Sequence, residues 1–300
     1  MHKNIFFALL FFNSLIYSQD YVDIFSVNYT HSNPISFENS LDKTAISNLE
    51  TSFTLPIILN NKYAFISGFD FESNQLKLFP NSTNSLQSAR IKAGIRIKYS
   101  EKWSGTFLIL PKIASDFKYI SNKDLFFGSL FLLKYHKQKN LNYKYGIYIS
   151  NEAYGFFMTP IIGLYYKSPN ACFELNLTLP TDLDLNYRII NSTKMGIIYT
   201  AFGKSFNITT NTNQSTYVEN NSFQFSTYFQ NNSLNKNIYM RLKFGIQTND
   251  YSVYPIDQKI DFRISAIKLG DNRTLLNPKI MSGAFLMAEL IYRFDLSNNK

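Results

Sequence analysis

Cysteine occurs once in this 300-residue chain, at Cys172, so neither an intrachain disulfide nor a multi-cysteine metal site is open to it. Histidine is nearly as scarce, with His2, His31 and His136 the full set. A hydrolytic triad needs a His between a nucleophile and an orienting group. Only His136, at a strand end after Lys134, is placed for one, and no G-x-S-x-G context accompanies it. His31 shares a segment with Glu38 and Asp42 but lacks metal-ligand spacing. Glycine-rich phosphate loops, dinucleotide fingerprints and paired-carboxylate motifs are missing. The chain is therefore read as a non-enzyme without cofactor or metal. Charge is also low: Asp, Glu, Lys and Arg make up 17% of residues, against about 25% in ordinary soluble domains. Beyond residue 18 no apolar run approaches the ~18 residues that a spanning helix needs. The longest, Leu125 to Leu133, is broken by Gly128 and Ser129.

Aromatic residues stand at 17%, with 28 Phe and 21 Tyr beside one Trp. Rings in such number need a core or a second apolar solvent. The opening MHKNIFFALLFFNSLIYS has a basic start, an apolar run from Ile5 to Phe12 and a small residue at Ser18. That layout predicts a secretory signal peptide over residues 1–18 and an exported domain over 19–300.

The stretch ARIKAGIRIKYS at 89–100 puts Arg90, Lys92, Arg96 and Lys98 on one parity and Ile91, Ala93, Ile95, Ile97 and Tyr99 on the other. On a helix these cations would smear around the cylinder; on a strand they share one face. Similar alternation recurs along the chain, in Phe173 to Leu179, Leu183 to Ile189 and Ile238 to Ile246. Period two over roughly ten residues is the pattern of a transmembrane barrel strand. Short polar turns near 58–62, 100–102, 137–141, 168–171, 191–194 and 231–236 alternate with longer Asn- and Ser-rich segments near 31–45, 73–87, 114–123, 151–157, 207–220 and 249–283. The expected fold is all-β: a single antiparallel transmembrane barrel of about fourteen strands, with short periplasmic turns and longer outer loops. Twelve strands is the alternative, because the connection at Pro180 and Thr181 is very short and IDFRISAI at 260–267 reads as either a strand or a loop hairpin. A soluble β-sandwich or lipocalin-like barrel is the rival, and it buries the oily parity. Pro111, Pro160 and Pro180 are expected at outer strand ends. Tyr99 and Trp103, Tyr135 and Tyr143, and Tyr165 and Phe173 are expected as a rim of interfacial rings. GAFLMAELIYRF at 283–294 reads as the closing strand, followed by a short tail from Asp295.

Across the exported chain, and most specifically in YYKSPNACFELNLTLPTDLDLNYRI followed by MGIIYTAFGKSFNI, the sequence resembles an uncharacterised outer-membrane barrel family of Bacteroidota, a domain of unknown function. The resemblance implies a barrel in the cell outer membrane of a Gram-negative bacterium and brings no activity.

The chain carries +9 formally. On an exported barrel this points to lipopolysaccharide phosphates or an anion-preferring lumen rather than to nucleic acid. The candidate lumen-lining residues are Arg90, Lys92, Arg96, Lys98, Glu174, Asp184, Arg188, Arg241, Lys243, Glu289 and Arg293. They either select anions or hold the wall together by pairing with Glu50, Glu174, Asp184 or Glu289. The partners implied are outer-membrane lipid and lipopolysaccharide, the barrel-assembly machinery and small anionic solutes. Three roles stay open: a porin-like channel or uptake barrel for small polar or anionic solutes, a structural or assembly barrel with a filled lumen, and a membrane-embedded enzyme acting on lipid.

Overall fold

The computed structural model describes residues 21–209 and 215–295, so the expected export signal over residues 1–18 lies outside the described residues. Fourteen strands build the wall: β1 Tyr21–Ser32, β2 Ser47–Ile58, β3 Tyr63–Phe79, β4 Ser82–Lys98, β5 Trp103–Ser115, β6 Leu125–Gln138, β7 Leu141–Glu152, β8 Gly155–Lys167, β9 Phe173–Leu179, β10 Asp182–Ile190, β11 Thr193–Thr209, β12 Ser215–Asn235, β13 Ile238–Gln247 and β14 Gly283–Asp295. Each wall strand pairs antiparallel with its neighbours. The last returns to the first, from Tyr21 opposite Asp295 to Ser32 opposite Phe285, so the sheet closes without an edge.

The alternation decides which solvent each face meets. Ile91 on β4 is 60% exposed and Phe244 and Ile246 on β13 are 63% exposed, whereas Arg241 on β13 and Arg293 on β14 are buried. Oily side chains point out and charged ones point in, the reverse of a soluble lipocalin-like barrel. The chain is a transmembrane β-barrel.

Prolines sit where the ladder has already stopped on one side. Pro160 pairs with Ile147 of β7, but the ladder of β8 with β9 begins only at Ile162. Pro56 lies beyond the last β1–β2 pair, Phe25 with Phe53, and Pro111 falls in a gap of the β4–β5 ladder between Arg90–Lys112 and Ala93–Ile109. The missing N–H costs no ladder bond at these places. Pro111 and Pro160 thus lie within strands rather than at their ends.

Connections at one end, the turn end, are short: residues 59–62, 99–102, 139–140, 168–172, 191–192 and 236–237. Tyr21 and Asp295 lie at that end too. At the other end, two segments expected as loops are strand instead. β3 and β4 run on to a two-residue turn at Pro80 and Asn81, and β7 and β8 turn at Ala153 and Tyr154. Polar residues on both parities made these extensions read as loops. IDFRISAI forms a hairpin, Phe262–Ile264 against Ile267–Leu269, whose first strand lies parallel to β8 at Phe157 and Met158.

This second end is closed by a cap. The ladder of β11 with β10 stops at Thr200 opposite Asp182. The rest of β11 keeps β12 as partner and crosses to β5, where Asn207 meets Ser115. A strand at Asp250–Pro255 adds to the other edge of β12. Phe206, Tyr217, Val218 and Val253 of these strands pack with Phe37, Leu76, Leu78, Leu86 and Ile280 into one buried apolar core across the mouth.

Candidate functional site: the lumen beneath the cap

The inward parity of the wall carries charges that meet one another across neighbouring strands. Arg90 and Lys92 on β4 converge on Asp70 of β3, at 2.7 and 2.6 Å, and Lys92 also donates to Ser52 Oγ at 2.9 Å. Lys98 pairs with Glu101 at 2.7 Å. Glu174 accepts from Lys194 at 2.8 Å and from the Tyr21 and Tyr165 hydroxyls at 2.8 and 3.0 Å. Arg241 lies 3.3 Å from Glu289 and 3.9 Å from Asp184, and Lys243 lies 3.1 Å from Glu289. Tyr228 donates to Asp184 at 2.8 Å and stands over Gly196, where a Cβ would meet its ring at 2.6 Å. Arg293 pairs with Asp23 at 2.5 Å and covers the Tyr21 ring. Arg188 donates to the Asn170 carbonyl at 3.0 Å, beside a turn. Buried pairs of this kind are costly to break singly, because the remaining charge is left in a poor solvent.

Several members of this network were not anticipated from the sequence. Asp70 and Asp23 are partners to Arg90 and Arg293; parity puts Asp70 on a face, but only the register of β3 on β4 sets it opposite Arg90. Lys204, Glu72 and Glu152 belonged to segments that read as loop, or lay next to one. In the structure Lys204 spans the lumen to Glu72 at 2.8 Å and Glu50 at 3.3 Å. Next to it, Ser205 is bonded to Glu152, which also holds Lys112 at 2.9 Å. Asn207 donates to Asp124 and to the Lys123 carbonyl at 3.0 and 2.7 Å. These bonds tie the inward-folded half of β11 to the opposite wall.

Within the cap, Glu219 is fully buried and meets Arg263 at 2.9 Å, Lys268 at 3.0 Å and Arg273 at 2.7 Å. Burial alone pushes the Glu219 carboxyl up, but Lys268, Arg273 and the Asn221 amide outweigh it and hold it below the usual carboxylate range.

Below the cap a cavity of about 480 Å³ is lined by Asn28, Asn48, Glu50, Glu72, Asn74, Arg90 and Lys204, among others. A second cavity, of about 260 Å³, lies toward the turn end between Thr54, Ile66, Arg96, Lys98, Thr106, Lys134 and His136. By register, the Arg90–Asp70–Lys92 cluster stands between them.

His136 has partners at both ring nitrogens: Asn142 Oδ1 at 2.9 Å from Nδ1 and Ser104 Oγ at 3.4 Å from Nε2. The backbone around Ser104 is committed to ladders with Lys98 and Lys134 on its two sides, which leaves no N–H pair to receive an oxyanion. At the turn-end rim, the Trp103 and Tyr135 rings lie 4.8 Å apart and Tyr135 and Tyr143 6.5 Å apart. The ring beside Phe173 is Tyr166, not Tyr165, which points inward to Glu174.

A closed barrel with an apolar exterior, a charged interior and a folded cap defines the class of protein. More particularly, residues 73–257 match the family described as Domain of unknown function (DUF6268), and the chain belongs to that family. No curated protein matches the chain. Among solved structures, the NanC porin is 11% identical over 89% of this chain and 98% of its own, with a TM-score of 0.36. The translocator domain of the autotransporter NalP from Neisseria meningitidis is 9% identical over 91% and 89%, at 0.36. The TodX monoaromatic hydrocarbon channel is 8% identical over 90% and 89%, at 0.39. These likenesses are distant.

Proposed function

We propose that the chain is a passage barrel of a Gram-negative outer membrane, taking small polar solutes and favouring anions at its turn end, with the cap as a gate that swings aside for passage. The turn end is then periplasmic, as short connections are in outer-membrane barrels. Outer-membrane lipid and lipopolysaccharide surround the wall in this reading, and the barrel-assembly machinery inserts it. One observation carries the proposal: the lumen is not filled, since cavities with charged residues in their lining lie on either side of the paired charges at Arg90, Asp70 and Lys92. A barrel serving only as structure has no need of that space.

The test is flux. Purified protein in liposomes should allow swelling in small charged or neutral solutes, and Asp70→Asn should raise the rate severalfold by freeing the two cations from their shared carboxylate. Swelling no faster than in protein-free liposomes, for the parent protein and for variants with the cap loosened, would sink the passage reading in favour of a structural barrel.

A further inference from the structure

We infer that the barrel wall has a lateral window through which a small amphipathic molecule with a hydrogen-bond-donating head enters the central cavity from the membrane. The window follows from strand lengths. β9 and β10 are short and turn at Pro180 and Thr181, and the last bond on that side is the Ala201 N–H to the Thr181 carbonyl. Beyond Ala201, β11 folds inward and gives the wall no further strand there. The 262–269 hairpin closes the space against β8, with Ser265 and Ala266 at its tip.

The central cavity passes through this gap. Tyr199 and Phe223 lie on the outward parity of their strands, with Ile197 and Phe225, yet line the same cavity as the inward Asn28 and Glu50. Pro180, Thr181, Ser265 and Ala266 line it as well. The outer surface around the gap is apolar: Leu179, Ile162, Phe156 and Ile267 are all well exposed there, as barrel walls are toward lipid. A molecule reaching the window therefore comes from the hydrocarbon side.

Chemistry within the cavity specifies the head. Thr30 is buried with its hydroxyl oxygen unpartnered, and Asn28 Oδ1 is likewise buried without a partner, both on the cavity lining. Buried polar atoms left unpaired are rare and costly unless something meets them. The Asn28 oxygen only accepts, and the nearby carboxylates of Glu50 and Asp182 add acceptors. The cavity's cations are already engaged: Lys204 with Glu50 and Glu72, Arg90 with Asp70, Lys243 with Glu289 and Arg263 with Glu219. The fitting ligand is an alcohol or amine bearing a hydrocarbon tail, held with its tail between Tyr199 and Phe223. About 480 Å³ is within the usual range of ligand pockets.

Binding stands apart from flux, so its test needs no transport. The protein in phosphatidylcholine nanodiscs is exposed to a twelve-carbon alcohol with a diazirine beside its hydroxyl, irradiated, and mapped by peptide mass spectrometry. Crosslinks are expected on the cavity side, near Asn28, Glu50 and Phe202. Crosslinks confined to lipid-facing residues such as Leu242 and Phe244 would overturn the site. Ala201→Trp with Ala266→Trp should cut cavity labelling at least tenfold; Ala266→Trp alone, on an exposed tip, serves if the double variant does not fold, and undiminished labelling refutes the window. Dodecylamine should compete at tenfold lower concentration than dodecanoate, and equal competition would overturn the acceptor assignment.

Discussion

At the residue scale, Glu219 is the most consequential side chain of the cap. It has three cationic partners from the segment between β13 and β14, each within 3.0 Å, and no exposed surface. Glu219→Gln leaves Arg263, Lys268 and Arg273 facing one another, and removal of one member of a buried ion group costs about 3–5 kcal/mol. The cap, rather than the barrel, should absorb that loss. Hydrogen exchange of residues 203–208 and 250–255 should rise at least a hundredfold, with the wall ladders unchanged. The pH dependence has a definite sign. Because the native carboxyl titrates below its ordinary value, its contribution is complete above about pH 4.3 and is lost as pH falls through the native pKa. Cap exchange in the parent protein should therefore accelerate on acidification from pH 5 to 3, and the Gln variant should lack that step. Individual residues were legible in the sequence as far as parity reaches. Arg241, Glu289 and Asp184 could each be placed on an inward face, but that Arg241 reaches Asp184 on β10, three strands away, as well as Glu289 beside it could not, because strand pairing is a long-range fact. Tyr165 and Tyr166 differ by one position, and a slip of one residue exchanges lumen for lipid.

At the element scale, β11 and β12 behave as two structures each. Their lower halves are wall with an alternating pattern, and their upper halves meet polar bonds on one side and the cap core on the other, as Lys204, Ser205 and Phe206 show in succession. Period-two reading finds the first half and loses the second. The hairpin of β9 and β10 was legible as short but not as the start of a gap, since the gap also requires β11 to turn inward. If solutes pass the cap, this upper hairpin must move from β5. Asn207 and Ser115 are ladder partners there, so Asn207→Cys with Ser115→Cys, in a Cys172→Ser background, places two thiols for a cross-link. Oxidised, this protein should show liposome swelling reduced at least tenfold, restored by a reductant. Equal swelling in both states would mean that solutes bypass the hairpin.

At the scale of the whole molecule, charge is sorted along the barrel axis. Around the central cavity, acids and bases are matched: Glu50 and Glu72 with Lys204, Asp70 with Arg90 and Lys92, Glu289 with Lys243. The turn-end cavity is bordered by Lys62, Arg96, Lys98 and Lys134, and its lining holds one carboxylate, Glu101, already paired with Lys98. The net +9 of the chain announced an excess of base but not its location, which depends on strands distant in sequence meeting at one level of the lumen. A permeant ion should therefore be chosen at the turn end. Reversal potentials across a planar bilayer with a tenfold KCl gradient should show chloride preferred over potassium, and Arg96→Ser with Lys134→Ser should reduce that preference at least threefold. The effect should shrink when the mean salt is raised from 0.1 M to 1 M, as the screening length falls from about 10 to 3 Å. Arg241→Ser provides the contrast. Its guanidinium is bonded to Gln230 and Glu289 within the wall and stacked on Tyr228, so its loss should lower the unfolding temperature by several degrees and leave selectivity near the parent value. If Arg241→Ser shifts the reversal potential as strongly as the turn-end pair, selection is not confined to the turn end and the paired charges of the wall also face the ion path.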